Sequence, residues 1–172
     1  MSEMSLDALR QNLTNPQRVY LWEFEIPAPK GSGDTDVWIL RTQMMQEPGR
    51  RFDPIDIPFK GTGGFRVPGK EVYTHEITVR VLEGEDAKAF EAIQSWMELI
   101  RSNISGLGSA DPDLKSDAIV RLLDSKGETT KAIKLVGMYP QEKPTVDLDY
   151  STNDSQKYDV TFSFDRWETI TV

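Results

Sequence analysis

The chain contains no cysteine and a single histidine, His75. The first absence removes disulfides, thiolate nucleophiles and cysteine-based metal sites. The second leaves one candidate base for a serine triad and no imidazole pair for a metal, and no serine sits in a Gly-x-Ser-x-Gly turn. Basic residues are also short: 20 Lys plus Arg stand against 28 Asp plus Glu, for a formal charge of −8. Proteins that grip nucleic acid usually show the opposite balance, because neutralised phosphates supply most of their affinity. No apolar run approaches the roughly 20 residues needed to cross a bilayer. Met1 to Thr14 carries one basic residue, Arg10, and no apolar segment of its own. Neither a membrane anchor nor a secretory leader is therefore expected.

What is present fits one domain. The 172 residues suffice to bury a core, and 38% hydrophobic with 28% charged residues lies well inside the globular range. Residues 1–17 read as an N-terminal arm, weakly helical through Leu6, Leu9 and Leu13 and stopped by Pro16. Alternation predicts strands over Val19–Ile26, Val37–Met45 and Glu71–Leu82. In the last of these, Tyr73, Ile77, Val79 and Val81 oppose Thr74, Glu76, Thr78 and Arg80. Residues 87–103 carry the one expected helix, with Phe90, Ile93, Met97 and Ile100 as its apolar stripe, Ala89 and Trp96 beside it, and Gly106 and Gly108 beyond its end. Ser116–Asp124 and Thr129–Met138 flank Ser125–Lys126–Gly127 as a hairpin. Tyr139–Pro140 is expected to break the second strand, followed by a short extended piece at Thr145–Tyr150 and a long closing strand, Lys157–Ile170. Together these predict a mainly β protein, an antiparallel sandwich or partly open barrel with one flanking α-helix.

Residues 47–70 stand apart. They hold four prolines and five glycines, yet also Phe52, Ile55, Ile57, Phe59 and Phe65. Unstructured loops of this length are uncommon in compact domains, and disordered ones rarely carry so many large apolar groups. An extension that packs against a neighbouring subunit is expected.

No catalytic chemistry emerges. Gly64 to Lys70 matches a phosphate-binding loop until Glu71 takes the position of the magnesium-holding hydroxyl. The segment also runs into a strand rather than a helix, and Pro68 removes an amide. The acidic run Asp147 to Asp154 lacks the glycine and terminal glutamate of a helix-loop-helix calcium site, and reads as a solvated turn. Asp53 and Asp56 carry no spacing that makes them an acid–base pair. No enzyme activity, cofactor or metal is expected.

The stretch Pro58-Phe-Lys-Gly-Thr-Gly-Gly-Phe-Arg-Val-Pro-Gly-Lys70, followed by Glu76-Ile-Thr-Val-Arg80, resembles the tail tube proteins of contractile-tailed bacteriophages. So does the ending: Leu135-Val-Gly-Met-Tyr-Pro140, then Val146-Asp-Leu-Asp-Tyr150, then Val160-Thr-Phe-Ser-Phe-Asp-Arg-Trp-Glu168. The resemblance covers about Val19 to Ile170. It implies the tail-tube fold, and a structural virion protein whose hexameric rings stack into an inner tube. One sheet of each copy would join a continuous barrel around the lumen, with the long loop and terminal arms bridging neighbours. The implied partners are further copies of the chain, a contractile tail sheath protein, baseplate and tail-terminator proteins, a tape-measure protein in the lumen, and DNA in transit without specific binding. Assembly would take place in the host cytoplasm.

On this reading Thr74, Glu76, Thr78, Thr161, Ser163 and Asp165 are lumen candidates. Ordinary solvent-facing positions of a half-buried sheet are the alternative, and Arg80 departs from the polar, uncharged or acidic pattern. Glu91, Gln94, Glu98 and Arg101 are the helix positions that a sheath would touch. Competing readings are the tube of another contractile machine (an R-type pyocin, an extracellular injection system, type VI secretion), a nucleotide-binding protein built on Gly64–Lys70, and a monomeric adhesion sandwich.

Overall fold

The computed structural model describes residues 16–72, 74–108 and 114–171. The elements run β1 (Trp22–Glu25), α1 (Thr35–Arg41), β2 (Thr42–Met45), β3 (Arg51–Phe59), β4 (Thr62–Val72), β5 (Glu76–Leu82), α2 (Lys88–Ile100), β6 (Ser116–Leu123), β7 (Thr129–Glu142), β8 (Lys157–Ser163) and β9 (Arg166–Ile170). Seven strands form one sheet along the path β1-β6-β7-β8-β5-β2, with β9 also on β7, and β3-β4 form a separate ribbon. Every pairing is antiparallel. The mainly β architecture expected from the alternation is the one found.

Strand β7 organises the fold, because its two ends belong to different halves of the sheet. Ala132 to Val136 pair with β9 and, in part, with β6, whereas Tyr139 to Glu142 pair with β8. The change of partner falls at Gly137, whose φ is +68°. That conformation favours glycine, and a Cβ there would lie 2.2 Å from Asp165 Oδ2 and displace that side chain. Asp165 is the matching corner on the other chain segment: its amide donates to Val136 O at 3.0 Å, between β8 and β9. The long closing strand read over Lys157–Ile170 is therefore two strands that serve different halves.

Both halves turn apolar residues inward onto one core. Ile77, Val79 and Val81 of β5 meet Val160 and Phe162 of β8, while Phe24, Val120, Ile133 and Leu135 come from the other half. At the centre Trp38 contacts Phe24, Trp96 and Phe162 edge-on, with ring centroids 6.5, 6.4 and 5.7 Å away. Such pairings add to the area these rings bury.

Further sequence expectations are corrected. The strand read over Glu71–Leu82 begins only at Glu76, because Glu71 and Val72 pair with Phe52 and Arg51 as the end of β4. Val37–Met45 is mostly the helix α1, with only Thr42–Met45 extended. Its β-branched residues favour a strand, but burying Val37 and Trp38 on one turn of helix decides the outcome. Pro140 does not end β7, which runs to Glu142. Residues 145–150 form no strand. The apolar stripe of α2 is rotated: Ala89, Ala92, Ile93 and Trp96 are buried, whereas Phe90 is 40% exposed and Met97 and Ile100 are half-buried. Of the expected arm, only Pro16 and Gln17 lie within the described residues, and Gln17 Nε2 donates to Leu123 O at 2.9 Å.

The start of α2 is held from outside the helix. Glu83 reaches forward so that its carboxylate accepts from the amides of Ala89 (3.2 Å) and Phe90 (2.8 Å), satisfying donors that the first turn leaves open. Arg41, at the end of α1, donates to both oxygens of Asp86 at 2.8 and 2.5 Å. The guanidinium holds that carboxyl down at about 2. The two helices are thereby tied at one corner over the sheet.

Candidate functional site

The residues that sequence patterns single out for chemistry are held apart from one another. His75 lies just before β5, with Nδ1 3.1 Å from the backbone oxygen of Phe164. Among the described residues no group of three or more His, Cys, Asp or Glu side chains is placed to hold a metal. Gly64 to Lys70 lies along strand β4, and it is followed by strand β5 rather than by the helix a phosphate-binding loop leads into. The acidic run at 147–154 is exposed, with Asp149 turned back to the Ser151 amide at 2.8 Å. The features that could act are surfaces, and two stand out.

The first is the β3–β4 ribbon. The segment expected to be a long β-loop extension is a regular antiparallel pair, from Arg51 opposite Val72 to Phe59 opposite Thr62. Prolines fit because both strands are edges: Pro54 stands opposite Pro68. Register sorts the side chains. Ile55 faces Val67 and Ile57 faces Phe65, which puts four apolar groups on one side of the ribbon. Asp56 faces Arg66 on the other side, ion-paired at 2.6 Å. Every residue of β3 is exposed, and no residue of the ribbon enters the core. Phe52, Ile55, Ile57, Phe59 and Phe65 remain between 38% and 66% exposed. An isolated two-stranded ribbon is marginal in water, and a contiguous apolar face of this kind marks an interaction surface.

The second is the outer face of the half-sheet β7-β8-β5-β2. Glu76 is paired with Ser163, Thr78 with Thr161 and Arg80 with Asp159, so these side chains form a polar double row. Arg80 sits in that row, but its guanidinium binds both Asp159 oxygens at 2.6 and 2.8 Å and is neutralised in place. This partnership, invisible in the sequence, accounts for the one positive charge in the pattern. Gln141 Nε2 donates to Glu76 Oε1 at 3.2 Å and extends the row onto β7. Thr74 is exposed just before β5. Asp165 does not continue the row: it stands at the corner beyond β8, with Lys115 Nζ 3.2 Å from Oδ1. Strand β2 forms one open edge of this half-sheet.

On α2, Glu91 and Arg101 are exposed, while Gln94 and Glu98 are half-buried. Gln94 Nε2 donates to Glu98 Oε1 at 3.3 Å, and Glu98 Oε2 accepts the Asn103 amide at 3.1 Å. Phe90, assigned to the core by the helical stripe, instead faces Lys143, whose ammonium lies 3.9 Å from its ring centroid and 4.8 Å from that of Tyr158.

No protein-family model and no curated protein sequence matches the chain. Solved structures do. A chain of the anti-feeding prophage cap, a tube-terminating cap, superposes with a TM-score of 0.68 at 17% identity, over 93% of this chain and 94% of that one. A chain of the PVC sheath–tube complex of an extracellular contractile injection system, in the extended state, gives 0.66 at 19% identity, over 98% and 99%. A chain of the six-fold symmetrised anti-feeding prophage baseplate gives 0.67 at 10% identity, over 92% and 97%. The fold is shared with components of contractile particles over nearly the full length of both chains.

Proposed function

We propose that this chain is a structural, non-enzymatic subunit of the inner tube of a contractile phage tail, with hexameric rings stacked end to end around a channel for DNA. The observation that carries the reading is the β3–β4 ribbon, an apolar face held out in water by a domain whose core is complete without it. Only a partner can cover it. A tube supplies one in every neighbour. The open edge at β2 fits the same logic, since an unpaired edge is a hazard for a monomer and ring closure removes it. The polar double row on β5 and β8 would then face the lumen, where a neutral or acidic wall does not retain a polyanion. A sheath would lie against the α2 side, with terminator and baseplate proteins at the tube ends and a tape-measure protein inside during assembly. Among the described residues no helix is long and apolar enough to cross a membrane.

A second reading shares the rings and differs in cargo. The solved structures above come from an anti-feeding prophage and an extracellular contractile injection system, which favours the tube of such a machine over that of a phage tail.

The conduit is tested through wall charge. Glu76→Lys would set a new positive charge at the same place on every copy, paired across the strands with Ser163. Particles carrying it are expected to assemble, because the position is exposed and outside the core. DNA release from them should be slow at low salt and recover at high salt, as screening weakens phosphate contacts. Release unchanged at low salt, in particles shown to contain the variant, contradicts a lumenal Glu76.

A further inference from the structure

The β3–β4 ribbon is a lever on the body of the domain. Strand β3 has nine residues. At about 3.3 Å per residue it reaches about 30 Å, so a tilt of about 20° at the base would carry the tip roughly 10 Å. The apolar face can meet a neighbour in one register only if that angle is set. The chain leading into the ribbon is loosely packed: Pro48 and Gly49 precede Arg50, and nothing lies within 4 Å of the place a Cβ would take on Gly49. No residue of the core cluster comes from the ribbon.

Side chains cross the joint instead. Glu47 pairs with Lys131 of β7, but both are exposed and Glu47 lies before the ribbon begins, so this pair steers the approach more than the angle. Arg50 is placed differently. Its guanidinium pairs with Glu71 of β4, and it lies 5.6 Å from the ring centroid of Phe52 of β3 and 5.9 Å from that of Trp167 of β9. Trp167 is packed against the core and stands opposite Leu135 of β7. One side chain thus touches both strands of the ribbon and a fixed point of the body. Arginine suits the task, because its plane lies over rings while its N–H groups hold a carboxylate.

We infer that Arg50 is a positioning residue, a clamp that sets the angle of the β3–β4 ribbon and so presents its apolar face to a neighbouring copy in one direction. The clamp itself is a property of the single chain. Its use in docking rests on the tube-subunit reading. A ribbon already aimed loses less freedom on docking than one that swings, and more of the contact energy is left to hold the assembly.

The absence of cysteine makes the angle measurable on the full chain. Lys60→Cys at the ribbon tip and Lys126→Cys in the β6–β7 turn are both exposed and would each take one dye. The distance distribution between them, read from the donor's fluorescence decay at high dilution, should be narrow in the otherwise unaltered chain. Arg50→Ala should make it at least twofold wider with circular dichroism unchanged, and Arg50→Lys, which keeps the charge and loses the planar fork, should widen it as well. In the unlabelled chain, Arg50→Ala should raise the concentration needed for tubes roughly tenfold, by the ordering that docking must then supply. Equal widths with and without the Arg50 side chain overturn the clamp, whether or not tubes form. A wider distribution with an unchanged tube threshold overturns the link from aim to docking. An unaltered chain that never forms tubes contradicts the tube reading, and the decay measurement still decides the clamp.

Discussion

Excising residues 51–72 and closing the gap with a short glycine–serine link should leave a folded domain that forms no tubes. The excised ribbon lends nothing to the core cluster, which is complete from β1, α1, β5, α2, β6, β7 and β8. Its base is anchored outside the cut by Glu47, paired with Lys131, and by Arg50, over the Trp167 ring at 5.9 Å. Losing exposed side chains should change the unfolding free energy by no more than about 1 kcal/mol, in line with surface changes generally. The effect on assembly should be complete, because every copy loses the same apolar face. Sedimentation and microscopy read the two outcomes separately. Long tubes from the excised chain would remove the ribbon from the subunit contacts.

The largest effect on folding is expected inside α2. Ile93 and Trp96 are fully buried, and Trp96 Nε1 also donates to Leu114 O at 2.6 Å. Ile93→Ala should cost about 2–5 kcal/mol and Trp96→Ala about 3–5 kcal/mol, the range for large-to-small changes that leave a cavity. Phe90→Ala, on the outer side of the same helix, should cost clearly less. Denaturant unfolding of the three variants ranks them. Equal losses, or a loss well under 1 kcal/mol at Ile93, would mean that the helix packs by a different face.

That ranking differs from what the residue pattern of α2 suggests, and the difference shows what the sequence could carry. Scanning for large apolar groups selects Phe90, Ile93, Met97 and Ile100. The packed face instead uses Ala89 and Ala92, because the chain before α1 passes too close for anything bigger: a Cβ on Gly33 would sit 2.9 Å from that of Ala92. Small residues on a helix and a glycine some 60 positions earlier meet only in three dimensions. Phe90 is apolar for another purpose, stacking on the Lys143 ammonium.

Strand β5 was legible from Glu76 to Leu82, since strict alternation needs no distant partner to be read, but Glu71 and Val72, read as its start, belong to β4. The hairpin of β6 and β7 was legible for the same reason. Pro140 misled because a proline's meaning depends on which side of the strand is paired: Tyr139 to Glu142 pair with β8, and the missing N–H can face outward. The ribbon was recognisable as an interaction element from its stranded apolar groups, but prolines and glycines hid its strand register. Arg80 breaks the polar pattern of its strand in sequence, and the Asp159 that balances it lies opposite, 79 positions away.

On the proposed function, this domain exists to repeat. The most direct measurement is electron microscopy of the purified full chain across a range of concentrations, with the map of any assembly resolved to its strands. Hexameric rings stacked into hollow tubes are expected, in which the half-sheet β7-β8-β5-β2 of each copy runs into that of the next and the β3–β4 ribbon lies against a neighbouring copy. A monodisperse monomer at every concentration, with the ribbon still open to solvent, would contradict it.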